Sequence, residues 1–207
     1  MNNILFFNIS SDQIHLSYQE EELFLERNGV ENVLGKVLVE RWRKYQFKKV
    51  YIVNGPGGFT NLRVGSLCMN LLNALVGDQI DFYSVSKIEL YQYAYGQGGM
   101  PKQGVIYIGQ KKNIWLWDFE RKEKVGQMNF DQLKQYLEEN TINKEDVFLD
   151  VVYDYNYYPE DFRTFTHNQY SVLKELIHKY VEEKEVKGTP SIEAKYMIDP
   201  IITPSKK

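Results

Sequence analysis

The sequence predicts an α/β protein of two lobes, each a mixed sheet flanked by helices. Three observations lead there. Short apolar or alternating runs bounded by polar turns read as strands. Longer runs with apolar residues at threes and fours read as helices. The order of three strands, helix, strand, helix then occurs twice, on either side of the one clear break in composition, Gly96 to Gly104. Three strands in antiparallel succession, continued by alternating helices and strands, make a mixed sheet covered on both faces. The predicted lobes are residues 1–98 and 104–207, with a cleft between them.

In the first lobe, Ile4 to Asn8 is an apolar run suited to a buried strand. Gln13 to Tyr18 alternates through Ile14, Leu16 and Tyr18, and Leu23 to Leu25 continues the meander less cleanly. Glu31 to Tyr45 carries Val33, Leu34, Val37, Leu38, Trp42 and Tyr45 at helical spacing. Glu31 at its start and Arg41, Arg43 and Lys44 at its end suit the helix dipole. Val50 to Val53 is the next strand. A turn with Gly55, Pro56, Gly57 and Gly58 leads into a helix to Val76, for which Thr60 is the expected cap. Phe82 to Val85 is a strand, and Ser86 caps a helix ending near Tyr95.

Beyond the break, Val105 to Ile108, Ile114 to Phe119 and Lys124 to Met128 read as strands. Asp131 to Glu139, begun by Asn129 or Asp131, is a helix, and Val147 to Val152 is a strand. An aromatic, acidic stretch from Tyr153 to Phe162 reads as a solvated loop, followed by a helix from Asn168 to Glu183.

Composition excludes several classes of function. The formal charge of −3 over 207 residues gives no basic patch for nucleic acid or a membrane surface. No apolar run approaches the roughly 20 residues that span a bilayer. The opening Met1 to Asn8 lacks the basic flank of a secretory signal. Cys68 is the only cysteine, which suits a reducing cytosol, and its place on an apolar stripe reads as an inert thiol. His15, His167 and His178 are scattered, so they read as packing or surface residues and no metal site is expected. Among the carboxylates, Asp118, Asp150, Asp154 and Asp161 are the candidates for acid–base work in the second lobe.

The turn at Gly55 to Gly58 has two physical readings. Its free amides cradle an anion at a helix start, or its glycines shape a tight connection. The Lys–Ser/Thr pair of a phosphate loop is missing, because Phe59 and Thr60 follow the last glycine. The helix beyond carries two apolar stripes. Val64, Leu67, Cys68, Leu71 and Leu75 form one, and Met69, Leu72 and Val76, with Gly65 a turn earlier, form the other. One must face the sheet; the other is the seat of a neighbour or a partner. Arg63 lies in the first turn, where the dipole disfavours a cation, so a carboxylate or carbonyl is expected to hold it.

Residues Gly55-Pro56-Gly57-Gly58-Phe59-Thr60-Asn61-Leu62-Arg63-Val64-Gly65 resemble the signature G-P-G-S-F-T-G-L-R-I-G of the bacterial TsaB (YeaZ) family. Val85-Ser86-Lys87-Ile88-Glu89 is similar to that family's V-S-S-L-E, and Glu193 to Pro200 to its closing P-L-Y-L-R. The resemblance implies two actin-like (ribonuclease H-like) lobes. It further implies a cytoplasmic, non-catalytic subunit, without cofactor of its own, that dimerises with TsaD while the ATPase TsaE joins the complex. That assembly makes threonylcarbamoyladenosine (t6A) in certain transfer RNAs. The implied partner face comprises Leu34, Leu38, Trp42, Leu62, Arg63, Gly65, Met69, Leu72 and Val76, and the same face serves self-association when TsaD is absent. The chain departs from the family at Asn8-Ile9-Ser10, where Asp-Thr-Ser is usual, and at Gly109-Gln110-Lys111, where Asp-Ala-Arg is common. It also has Gly29-Val30-Glu31-Asn32 in place of a His-Ser segment, so it is identified as a divergent member. Asn8 supplies no charge for a magnesium-bound nucleotide. The competing reading is an actin-like small-molecule kinase or carbamoyl transferase that uses the interlobe cleft.

Overall fold

A computed structural model describes residues 3–110, 112–154, 156–163 and 171–197. The first sheet is built from β1 (Ile4–Asn8), β2 (Ile14–Tyr18), β3 (Glu21–Leu25), β4 (Lys49–Val53) and β5 (Asp81–Val85), in the order β3-β2-β1-β4-β5. β1 is antiparallel to β2 and parallel to β4, with Phe6 opposite both Ser17 and Tyr51. Parallel pairing of β1, β4 and β5 requires crossovers, which α1 (Val30–Tyr45) and α2 (Phe59–Leu75) supply. Both lie on one face, over a core of Leu5, Phe7, Ile14, Leu16, Val50 and Ile52.

The second sheet has four strands, β6 (Gln103–Tyr107), β7 (Ile114–Asp118), β8 (Glu123–Met128) and β9 (Val147–Leu149), in the order β8-β7-β6-β9. It repeats the hairpin-plus-parallel plan of the first, with four strands among the described residues. The expected run to Val152 ends at Leu149: the Asp150 amide makes the last strand bond, to Val105 O at 2.9 Å, and beyond it the buried Asp150 carboxylate accepts from Tyr107 N of β6. α4 (Phe130–Glu139) and the short α5 (Glu160–Arg163) cover the outer face, around Leu116, Leu133, Leu149, Tyr158 and Phe162.

Local signals set the helix starts. α3 (Lys87–Gly96) begins with a capping box between Ser86 and Glu89, and α4 with one between Asn129 and Gln132. α2 differs from expectation. Gly58 is its N-cap and makes no side-chain cap, and Thr60 lies inside the first turn. The last helix, α6, is described from Ser171 to Glu183; the expected start at Asn168 lies outside the described residues.

Among the described residues the two sheets share a core. One core cluster joins Phe6, Tyr51, Val53 and Val85 of the first sheet to Ile106, Trp115 and Phe119 of the second half. Tyr91 of α3 and Leu173, Ile177 and Val181 of α6 complete it. α6 therefore packs on the first sheet, where His178 meets Tyr51 with ring centroids 4.7 Å apart. After α6 the chain returns to the first lobe. Thr189 pairs with Phe82 on the edge of β5, and Asn73, Asn70 and Asn54 bind the main chain of Pro190, Ile192 and Glu193. No helix among the described residues is long and apolar enough to cross a membrane.

Candidate functional site

Two places gather the residues that the sequence singled out: the outer face of α2, and the seam where the Gly-rich turn meets the second half.

On α2 the two apolar stripes exchange the expected roles. Leu62, Met69 and Leu72 are buried in the core with Leu34 and Leu38 of α1, while Trp42 and Val76 pack half-buried against it. Gly65 faces the sheet. A Cβ there would lie 2.5 Å from Ile9 Cγ2 and 3.4 Å from Phe7 Cζ, so the glycine admits α2 to the sheet and not to a partner. Periodicity revealed two apolar faces but not which one meets the sheet, and the close approach at Gly65 decides it. The outward stripe is Leu67, Leu71 and Leu75, which are 55%, 54% and 76% exposed. Phe59 at the helix start, stacked on Tyr196, and Val33 of the neighbouring α1 are also exposed. Arg63 is the one charged residue between Phe59 and Leu75. It is exposed, and no carboxylate or carbonyl holds it among the described residues. An exposed helix face with a single charge is unusual for a surface that meets only water.

The turn is a shaped connection. Tyr51 to Gly58 are all buried. Gly55 N donates to Ser10 Oγ, whose hydroxyl donates to Val53 O at 2.9 Å, and Gly55 O accepts from Lys87 N at 2.8 Å. A Cβ on Gly57 would lie 2.6 Å from Ser10 Cα, and Gly109 of the second half sits against Gly58. An anion entering this turn would meet protein on both sides. Asn61 is buried and donates from Nδ2 to Ser11 O at 2.9 Å.

Beneath the turn lies a buried ion pair that the sequence reading passed over. Lys87 begins α3 and is fully buried. Its ammonium contacts Asp150 Oδ2, donates to Ser10 O at 2.9 Å and lies 5.2 Å from the centre of the Tyr107 ring. Burial pushes the Lys87 pKa below its ordinary value, and Asp150 opposes that shift. Asp150, also fully buried, accepts from Tyr91 OH at 2.5 Å, from Tyr107 N at 2.9 Å and from Val151 N at 2.7 Å. The signal was present in the sequence. A cation in the first turn of a helix needs an anion, and that argument applied to Arg63 fits Lys87. Nearby, Asp12 accepts from Tyr153 N and Asp154 N, both at 2.7 Å.

The remaining candidates resolve into packing. Tyr157 donates to Gln110 O, Tyr158 is buried and donates to Asp150 O, and both rings meet Phe130. The aromatic segment is thus part of the core and not a solvated loop; Tyr155 lies outside the described residues. Asp118 is buried and accepts from Arg121 N, whereas Asp154 and Asp161 are exposed. His15 contacts Glu22 and stacks on Phe24, and His167 lies outside the described residues. Cys68 is half-buried, with its thiol pushed up by burial. Among the described residues no group of three or more His, Cys, Asp or Glu side chains could hold a metal ion.

No family model matches the sequence, and no curated protein matches it. Among solved structures the chain is similar to YeaZ from Pseudomonas aeruginosa, at 16% identity and a TM-score of 0.36, over 61% of this chain and 66% of that one. A second structure is an uncharacterized protein with similarity to peptidase YeaZ from the same organism, at 18% identity and a TM-score of 0.36, over 58% and 61%. The chain therefore spans just under two thirds of these two proteins. A third is a Bacteroides thetaiotaomicron protein with actin-like ATPase fold and unknown function, at 13% identity and a TM-score of 0.38, over 84% and 88%.

Proposed function

We propose that this chain is a non-catalytic, TsaB-like scaffold subunit that docks a TsaD-type partner through the outer face of α2, in support of t6A formation in the cytoplasm. The observation that carries the reading is the row Leu67, Leu71 and Leu75, exposed on a helix with one charged residue. Phe59 and Val33 widen it into a patch that a partner helix pair would cover. The resemblance of Gly55 to Gly65 to the TsaB signature supplies the partner's identity. The ATPase TsaE is expected to join the complex, and self-association through the same face is the outcome when TsaD is absent.

The alternative, a kinase or carbamoyl transferase working in the interlobe cleft, has less support. What counts against it is that, among the described residues, the two halves meet directly through the Lys87–Asp150 pair, through Tyr91 and through the contact of Gly109 with Gly58. Size exclusion with light scattering, on this chain mixed with its cognate TsaD with and without ATP, tests the proposal. A one-to-one complex is expected. Absence of a complex in both conditions refutes it, and ATP binding by this chain alone would restore the alternative.

A further inference from the structure

We propose that Lys87 is a tethered cation that latches the two halves in the closed arrangement, so that closure requires no bound ligand. The ammonium touches both halves at once. Ser10 O belongs to the loop after β1, and Asp150 to the segment after β9. Charged and polar groups face the pair from every side. Tyr91 OH and the amides of Tyr107 and Val151 occupy the carboxylate, the Tyr107 ring lies beside the ammonium, and Asp12 also favours the charged ammonium.

In bilobal proteins that open and close on a ligand, the groups facing each other across the cleft are hydrated when the lobes part. Here they are an amine and a carboxylate, each fully buried. Opening the seam would part a charge pair held at low dielectric together with the hydrogen bond from Tyr91 OH of α3 to the same carboxylate, whose other two bonds, from the amides of Tyr107 and Val151, fix it within the second half. A second row of contacts guards the same seam. Ser11 Oγ donates to Val151 O at 3.0 Å, and Asp12 binds the amides of Tyr153 and Asp154. Both rows run from the β1–β2 loop to residues 150–154. Hard oxygen groups converging between two lobes are the usual setting for a bound cation, and the chain places its own there.

Native-state hydrogen exchange followed by NMR tests the latch. In the wild-type protein the amides of Tyr107, Val151, Tyr153 and Asp154 are expected to exchange as slowly as Ile52 in the centre of the first sheet, and to be unmoved by ATP with Mg²⁺. In Lys87→Met/Asp150→Asn, the same four are expected to exchange at least tenfold faster while Ile52 and Leu116 keep their protection. Wild-type seam amides that exchange tenfold faster than Ile52, or that slow on adding ATP with Mg²⁺, would overturn the latch. So would a folded double variant with unchanged seam protection. The wild-type comparison stands even if the double variant fails to fold. Asp12→Asn, at the rim, then reports on the same seam by speeding Tyr153 and Asp154 alone.

Discussion

Leu71→Asp and Met69→Asp, two residues apart on α2, should separate partner binding from folding. Leu71 is 54% exposed and Met69 0%. Full burial of such a side chain is worth about 1.5–3 kcal/mol, so a partner covering the open half of Leu71 gains about 1 kcal/mol there. Aspartate forfeits that gain and adds the cost of a carboxylate without a partner in an apolar contact, about 1–3 kcal/mol on protein mutational scales. The sum, roughly 2–4 kcal/mol, weakens the complex by about 30- to 700-fold at about 1.4 kcal/mol per tenfold. In the free protein Leu71→Asp keeps its carboxylate in water and loses only the half of Leu71 already covered, so it should lower stability by about 1 kcal/mol. Met69→Asp buries a charge in the core beneath α2, a cost comparable with the whole stability of a domain, about 5–15 kcal/mol. The assay is thermal unfolding of each variant followed by light scattering with TsaD. A Leu71→Asp protein that binds as tightly as wild type refutes the outer face as the docking surface. A Met69→Asp protein that folds normally but loses the partner would reinstate the inner stripe.

Other substitutions test the frame behind that face. Gly65→Ala sets a methyl 2.5 Å from Ile9 Cγ2 and should cost about 1–3 kcal/mol, read as a melting temperature lower by about 2–12 °C; an unchanged melting temperature would mean that α2 does not approach the sheet this closely. Asn73→Ala removes the bond to Pro190 O and leaves the buried amide of Ile80 without its acceptor. A loss of about 1–3 kcal/mol is expected, with faster proteolysis near residue 190. Burial pushes both His15 and His178 below their ordinary pKa, with Glu22 and Glu182 pulling the other way. The unfolded chain then binds more protons near neutrality, so stability is full above the unfolded value of 6.5 and is lost as pH falls through the lower folded values. Urea midpoints of wild type should therefore drop between about pH 7.5 and 5.5, and those of His15→Gln/His178→Gln should drop less; equal slopes would sink this account. Glu22, held low by His15 and Ser17 against its burial, acts only below 4.5, and Asp12, held above 3.8 by burial, works in the opposite direction.

The strands and helices were legible because their signals are local. Alternation in Ile14, Leu16 and Tyr18, helical spacing in α1, and the capping residues Ser86 and Asn129 each report on a few neighbouring residues. What escaped the sequence depends on contacts between distant segments. The choice between the stripes of α2 is made where Gly65 meets Ile9, and the value of Lys87 depends on Asp150, 63 residues away. The tyrosines after Asp150 looked solvated because their neighbours in sequence are polar, yet Phe130 and Gln110, which come from elsewhere, cover them. The Gly-rich turn had two readings in the sequence, of which the missing phosphate-loop lysine favours the tight connection, and its burial agrees.

The return of the chain to the first lobe has a bearing on biosynthesis. The edge of β5 and the inner face of β4 are closed by Thr189 and by α6, which leave the ribosome about a hundred residues after those strands. At about 5–20 residues per second, the nascent first sheet waits roughly 5–20 s with Tyr51, Val53 and an unpaired strand edge uncovered. During that interval it is a natural client for a ribosome-bound chaperone, and translational pausing beyond the 96–104 stretch would prolong the exposure.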